Sequence, residues 1–155
     1  MTITRDDLLA IAMGKIESAV EEFSQAVNHG SVTIVAPGGG MVSENFAYRE
    51  FACKCGCGFE SIHPDLVAIL EEVRAHFGKP VHITSGCRCA VHNARVGGAK
   101  LSQHTYARAS DITIRDVPPE DVRAAVLQLF PDIGGIKAYP GFTHVDIRTK
   151  GKWRG

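Results

Sequence analysis

Two short stretches of the 155-residue sequence carry side chains that could hold a catalytic metal ion. His104 and Asp111 lie seven positions apart in the first stretch, and His144 lies near the end of the chain in the second. Two imidazoles and one carboxylate that leave a fourth position open are a ligand set of catalytic zinc. A histidine taken alone is more often a surface or structural residue, but the three together predict a zinc site.

The pattern around these residues predicts the strands that carry two of them. Residues 111–115 and residues 144–148 both alternate polar and apolar side chains, which is typical of strands with one face in a core. Asp111 falls on the polar face of the first strand and His144 on the polar face of the second. If the two strands are neighbours, these two side chains and His104 can converge on one point.

Further elements are predicted around this pair of strands. Apolar residues at helical spacing predict a helix over residues 64–77, which the following Gly-Lys-Pro segment ends. A second helix is expected to begin at the Pro-Pro pair and to run over residues 119–130. Residues 81–84 and 134–139 are short strand candidates.

The first 45 residues differ in character from the rest. Residues 4–28 predict an amphipathic helix, whose apolar stripe fits packing on its own domain, docking, or a homodimer seam. The glycine-rich residues 37–40 predict a flexible connection. We therefore divide the chain into an N-terminal helix with its connection, residues 1–45, and a main domain, residues 46–155.

Charge and hydropathy exclude several classes of partner. The formal net charge is zero, from 17 basic and 17 acidic residues, which gives no support for nucleic-acid binding or a polybasic membrane patch. No apolar run approaches the roughly 18 residues that a membrane span requires. The first residues are acidic where a signal peptide has a basic region. We expect synthesis in the cytoplasm without a signal peptide, with delivery to any outside target by another route.

All five cysteines lie between residues 53 and 89, and three of them occupy the alternate positions of Cys53-Lys54-Cys55-Gly56-Cys57. An all-disulfide framework would leave one cysteine unpaired. Three states stay open: a disulfide to the segment of Cys87 and Cys89, a structural zinc held by four thiolates, or reduced thiols packed as small apolar groups. A thiol redox protein is disfavoured because the spacing is not Cys-x-x-Cys.

Residues 46–153 resemble the zinc D-Ala-D-Ala carboxypeptidases and related peptidoglycan peptidases, especially the short single-domain members found in bacteria and phages. The shared segments are Phe51-x-Cys53-x-Cys55-Gly56-Cys57, Ile83-Thr84-Ser85-Gly86-x-Arg88-Cys89, His92-Asn93-x-x-Val96-Gly97-Gly98, Ser102-x-His104-x-x-x-x-Ala109-x-Asp111 and Phe142-x-His144-Val145-Asp146. The resemblance implies an α+β domain of the hedgehog/DD-peptidase type, with a small antiparallel sheet and flanking helices. It also implies Zn²⁺ bound by His104, Asp111 and His144, and action on peptidoglycan peptides.

Two positions depart from the family pattern. Ala107 stands where the family usually has glycine; an alanine fits there if its φ is negative, and we expect a small adjustment and an intact site. Gly141 stands three residues before His144, where several family branches place a catalytic Asp or Glu. We therefore assign the base role to Asp146, which could take a proton from the attacking water or orient a ligand. The alternative for this carboxylate is a salt bridge with Arg148.

Four further residues are expected to contact the substrate. Arg88 follows a tight Ser-Gly turn and is expected to bind the developing oxyanion or a substrate carboxylate, or else to anchor its own turn. Ser85, Asn93 and Ser102 are expected to form hydrogen bonds with the substrate backbone.

The leading hypothesis is a zinc metallopeptidase of the D,D-carboxypeptidase or endopeptidase type that acts at the cell wall. A phage lysis enzyme and a wall-remodelling module both fit this description. The competing hypothesis is a non-catalytic module that uses zinc for stability or for wall recognition. The N-terminal helix and the missing carboxylate at Gly141 favour that alternative.

Overall fold

The computed structural model of the chain describes residues 40–149 and 151–155. The helix predicted over residues 4–28 and nearly all of the glycine-rich connection lie outside these residues. The division of the chain at residue 45 and dimerisation through the N-terminal helix therefore stay predictions. Within the described part, none of the helices has the length and hydropathy that a membrane span requires.

The described residues form an α+β domain, as the family resemblance implied. Both helices predicted for the main domain and all four predicted strands are present, with shifted ends. The helices are α1 (Pro64–Phe77), α2 (Ala90–Arg95) and α3 (Pro119–Leu129), of which α2 was not predicted. The strands are β1 (Val81–Ser85), β2 (Ala109–Ile114), β3 (Gly135–Tyr139) and β4 (Phe142–Asp146). Two short 3-10 turns complete the set, at Tyr48–Phe51 and Gln103–Tyr106.

The four strands form one antiparallel sheet in the order β1-β2-β4-β3. β2 and β4 lie side by side in its centre, so the two strands predicted to carry metal ligands are neighbours. Their register sets Asp111 directly opposite His144. Side chains of opposed residues lie on the same face of a sheet, so this register brings the two residues together.

The other face of the sheet supplies the core. Ile112 on β2, Val145 on β4 and Ile136 on β3 are fully buried and pack against helices α1 and α3. Side chains alternate between the two faces along a strand. Asp111 precedes Ile112 and His144 precedes Val145, so both lie on the face opposite the core. The packed core therefore fixes which side chains β2 and β4 present on the polar face.

The boundaries of α1 follow from its terminal residues. His63 is the N-cap, and its ring nitrogen Nδ1 accepts a hydrogen bond from the backbone N–H of Asp65 at 3.3 Å. Pro64 occupies the first helical position, where its missing N–H costs no helical hydrogen bond. The helix ends at Gly78, which adopts a left-handed conformation with φ of 59°.

Ala107 does not have the negative φ at which an alanine fits without strain. The residue has φ of 54° and ψ of 28°, which is the left-handed region, because it ends the 3-10 turn that carries His104. Its N–H donates back into that turn, and its carbonyl accepts a hydrogen bond from His63 N–H at 2.9 Å. The reversal directs the chain from His104 into β2. An alanine in this region costs about 1–2 kcal/mol.

Candidate metal centre

Three side-chain atoms form a small triangle at the polar face of the sheet. His104 Nε2 lies 3.3 Å from His144 Nδ1 and 3.3 Å from Asp111 Oδ1, and the last two atoms are 2.9 Å apart. Ligand atoms about 2.0–2.1 Å from a tetrahedral zinc ion are separated by about 3.3 Å. The triangle therefore has the dimensions of three zinc ligands, and His104, Asp111 and His144 fit the predicted set.

His104 comes from outside the sheet, on the 3-10 turn Gln103–Tyr106. Its side chain is nearly inaccessible, and the residue is 2% exposed. The ring atom Nδ1 lies 2.7 Å from the carbonyl oxygen of Gly86, to which an Nδ1–H can donate. This hydrogen bond favours the tautomer in which Nε2 has a free lone pair for a metal ion.

His144 is oriented by Asp146, two residues along β4. The Nε2 atom of His144 lies 3.0 Å from Asp146 Oδ2, so the proton is held on Nε2 and Nδ1 is directed toward Asp111. Asp146 is itself 0% exposed. The Asp146 carboxylate also accepts hydrogen bonds from Arg148, one from its backbone N–H at 3.0 Å and others from Nε and Nη2 of its guanidinium.

The position of Asp146 bears on its expected role. Its carboxylate lies at the Nε2 edge of the His144 ring, whereas the proposed metal-binding atom is Nδ1. Burial raises the pKa of Asp146, but the hydrogen bonds from Arg148 and His144 outweigh it and hold the pKa well below its usual range. These contacts favour the orientation of a ligand over proton transfer.

Asp111 is held by a guanidinium group. Arg88 Nη2 donates to Asp111 Oδ2 at 2.7 Å, which leaves Oδ1 for the triangle. Arg88 Nε donates to Ser85 Oγ at 3.0 Å, and this bond fixes the guanidinium. Burial raises the pKa of Asp111, but its hydrogen bonds with His104 and His144 prevail and the pKa lies well below its usual range. The carboxylate is thus ionised at neutral pH, as a metal ligand must be.

The charge of His144 follows from the same contacts. Burial lowers its pKa, but hydrogen bonds to Asp111 and Asp146 outweigh burial and raise the pKa above the ordinary value. A proton on both ring nitrogens competes with a metal ion for Nδ1. We therefore expect metal affinity to weaken as the pH falls.

The triangle lies in an open cleft with a volume of about 600 Å³. The predicted residues Arg88 and Ser102 line this cleft together with the three candidate ligands. Ser85 and Asn93 are not among its lining residues. The amide of Asn93 is buried and donates from Nδ2 to the carbonyl of Ala99 at 2.9 Å, so it holds the segment of Ala99, which lines the cleft.

Two cleft residues that contact His144 or Asp146 were not among the predicted site residues. Trp153 packs edge-on against the His144 ring, with the centroids 5.5 Å apart. Arg148 lies over the Trp153 ring with its Cζ atom 5.2 Å from the centroid, and also binds Asp146. Trp153 is the single tryptophan of the chain and lies in an otherwise polar tail, which was the signal that could have identified it.

All five cysteines are free thiols in this structure, so the disulfide expected as one of three states is not formed. The sulfur atoms of Cys53, Cys55, Cys57 and Cys89 all lie within 4.8 Å of one another. Cys87 is separate from this group.

Two histidines and one aspartate that face an open cleft and leave a fourth position free have the ligand types of a mononuclear catalytic zinc site. The sequence profile described as Peptidase M15 matches residues 44–146, which is more than half of the chain. The chain therefore belongs to the peptidase M15 family, and its cofactor is zinc. No curated protein matches the sequence. The family resemblance drawn from the sequence is thereby confirmed.

Proposed function

We propose that this chain is a zinc peptidase that hydrolyses a peptide bond in bacterial peptidoglycan, in a stem peptide or a crosslink, as a D,D-carboxypeptidase or endopeptidase. The observation that carries the proposal is the triangle of His104 Nε2, Asp111 Oδ1 and His144 Nδ1 in an open cleft. The membership of the chain in the peptidase M15 family supports peptide hydrolysis as the reaction. Action at the cell wall, in lysis or remodelling, is part of the proposal.

His104, Asp111 and His144 would hold the zinc ion, which would supply a Lewis acid for the scissile carbonyl and a water with a pKa of about 7 for hydrolysis at neutral pH. Arg88 lines the cleft beside the ligand Asp111. Its Nε and Nη2 groups bind Ser85 and Asp111, and within the described residues Nη1 has no hydrogen bond. Nη1 is therefore available for a developing oxyanion or a substrate carboxylate.

Two further groups support peptide binding in the cleft. Ser102 lies on the lining and can donate to a substrate carbonyl. Arg148 also lines the cleft, and a second guanidinium favours a substrate that carries carboxylate groups, as wall stem peptides do. Asn93 and Ser85 are proposed to act indirectly. Asn93 holds the segment of Ala99, and Ser85 holds the guanidinium of Arg88.

Asp146 is proposed as a positioning residue that keeps His144 in its ligating tautomer. Its oxygen atoms are engaged by His144 and by Arg148, which supports this role over the base role expected from the sequence. Among the described residues that line the cleft, Asp111 is the only carboxylate, and its Oδ2 is bound by Arg88.

Defined muropeptides test the proposal. The purified protein, loaded with zinc, is incubated with a monomeric pentapeptide substrate and with a crosslinked dimer, and the products are identified by mass spectrometry. The proposal predicts cleavage of one kind of peptide bond, loss of cleavage with a chelator, and recovery on addition of zinc. Intact substrates after prolonged incubation with zinc-loaded protein would contradict it.

A second candidate function is a non-catalytic wall-binding or structural module. The observation that favours it is Gly141, which lies at the turn between β3 and β4 and offers no carboxylate near His144. This candidate predicts that the protein sediments with purified wall material but releases no new amino or carboxyl termini. The muropeptide experiment therefore separates the two functions.

A further inference from the structure

We propose that the thiolates of Cys53, Cys55, Cys57 and Cys89 bind a second, structural zinc ion, separate from the catalytic centre. The four sulfur atoms all lie within 4.8 Å of one another. Cys55 Sγ lies 3.4 Å from Cys53 Sγ and 3.6 Å from Cys89 Sγ. Thiolates about 2.3 Å from a tetrahedral zinc ion are separated by about 3.8 Å, so a small adjustment of these side chains completes the site.

The backbone between the first three cysteines is folded to bring their sulfur atoms together. Gly56 and Gly58 have φ of +76° and +79°, a conformation that residues with a side chain rarely adopt. The Gly56 N–H donates to the carbonyl of Cys53 at 3.3 Å and closes a tight turn. In an extended strand, Cys53 and Cys57 would be roughly 13 Å apart, too far to share one ion.

Backbone N–H groups are directed at two of the four sulfur atoms. The N–H of Cys89 donates to Cys53 Sγ at 3.3 Å, and the N–H of His92 donates to Cys89 Sγ at 3.3 Å. Such donors stabilise negative charge on sulfur and orient the ligands. Each thiol gives up one proton when it binds the metal, so four thiols release four protons to solvent and the complex carries a net charge of −2.

The fifth cysteine, Cys87, lies outside the proposed zinc site and has a different role. Cys87 is 1% exposed, and its thiol donates to the carbonyl of Phe59 at 3.2 Å. Its sulfur is not part of the four-sulfur group. Cys87 is therefore a packing residue, whereas Cys55 and Cys57 are exposed and have no role in the core.

The proposed ion would connect two segments next to the catalytic centre. Cys89 directly follows Arg88, which binds Asp111, and it lies three residues after Gly86, which accepts from His104. The N–H of Arg88 also donates to the carbonyl of His104 at 3.0 Å. A zinc ion at the four cysteines would thus restrain the segment that orients two of the catalytic ligands.

Metal stoichiometry tests the proposal on the full chain. Elemental analysis of protein purified without chelator is expected to give two zinc ions per chain for the wild type. One ion is expected for His104→Ala, and one for the double variant Cys55→Ala with Cys57→Ala. The combination of all three substitutions should bind none. Cys87→Ala is the matched control and should keep both ions.

Cobalt substitution assigns the ions to their ligands. The His104→Ala protein loaded with Co²⁺ should keep the strong thiolate-to-cobalt charge-transfer absorption, and the double cysteine variant should lose it. This readout does not depend on peptidase activity, so it stands even if the proposed function fails. One zinc ion in the wild type that is lost with His104→Ala, iron at the cysteines, or a chain mass lower by two hydrogens from a disulfide would each overturn the proposal.

Discussion

Asp111 and His144 are opposed residues on neighbouring antiparallel strands, and Asp111 Oδ1 lies 2.9 Å from His144 Nδ1. This pair depends on the register of β2 and β4, because a slip of one residue would turn one of the two side chains toward the core. Ile112 and Val145, which are fully buried, fix that register from the other face. The core therefore places two of the proposed ligands, and the turn that carries His104 brings the third.

The role of Asp146 can be separated into positioning and proton transfer. Asp146→Asn removes the charge that favours the Nε2–H tautomer of His144, so zinc affinity should fall by about 10–100-fold. At saturating zinc, kcat should return to within a few-fold of the wild type. Zinc binding by isothermal titration and kcat at saturating zinc are the two measurements. Full zinc affinity with kcat lost would instead identify Asp146 as the base.

Arg88 is predicted to be essential for activity. The guanidinium of Arg88 binds Asp111 and Ser85 simultaneously, which the single ammonium group of a lysine cannot do in the same geometry. The kcat/KM of Arg88→Lys should therefore fall by about 100-fold. Ser85→Ala is the control, because it removes one hydrogen bond of about 1 kcal/mol, or about fivefold. Steady-state kinetics on a muropeptide compares the two variants. Equal kinetics for Arg88→Lys and wild type would contradict the assignment.

Ala107→Gly is predicted to stabilise the domain. Glycine removes a left-handed strain of about 1–2 kcal/mol and loses one buried methyl group worth about 0.8 kcal/mol. The net expectation is a gain of up to about 1 kcal/mol in the free energy of unfolding, measured by urea denaturation. Ala109→Gly, at a fully buried position in β2, is the control and should destabilise. Equal losses for both variants would show that Ala107 is unstrained.

Stability should depend on the protonation of His63. Burial is the main cause that lowers the pKa of His63 below its ordinary value of 6.5. The folded state therefore favours the neutral ring, whose Nδ1 accepts from Asp65 N–H. The free energy of unfolding should fall as the pH drops from 6.5 toward the lower folded-state pKa, and then level off.

His63→Asn provides the control for this pH dependence, because asparagine also caps a helix but does not titrate. Thermal unfolding measured between pH 7 and pH 5 should show a shallower slope for the variant than for the wild type. Zinc release at acid pH should change the unfolding temperature of the wild type and of His63→Asn equally. It therefore does not contribute to the difference between their slopes. Identical slopes would mean that His63 does not contribute.

Local sequence patterns were enough to predict the two central strands and the proposed metal ligands. Alternation gave β2 and β4, and the ligand types gave His104, Asp111 and His144, because both signals lie within a few residues. The contacts that orient the ligands could not be predicted in this way. Gly86 contributes through its carbonyl, and Trp153 reaches His144 from the tail. Such contacts depend on the three-dimensional arrangement of distant segments and leave no periodic signal.

The backbone at Ala107 shows a second limit of sequence reasoning. The intrinsic preference of alanine is for a negative φ. The turn around His104 and the hydrogen bond from His63 N–H impose the left-handed conformation instead. Tertiary contacts therefore override the local preference at this position.

Peptide hydrolysis by this chain is proposed to depend on one zinc ion held by His104, Asp111 and His144. The most direct test follows product formation from the monomeric pentapeptide and the crosslinked dimer by mass spectrometry while zinc is added back to chelated protein, for the wild type and for His144→Ala. The wild type should be inactive after chelation and regain full activity once zinc is added back in excess of both proposed sites, and His144→Ala should stay inactive. Activity that survives complete removal of zinc, or that persists in His144→Ala, would contradict the claim.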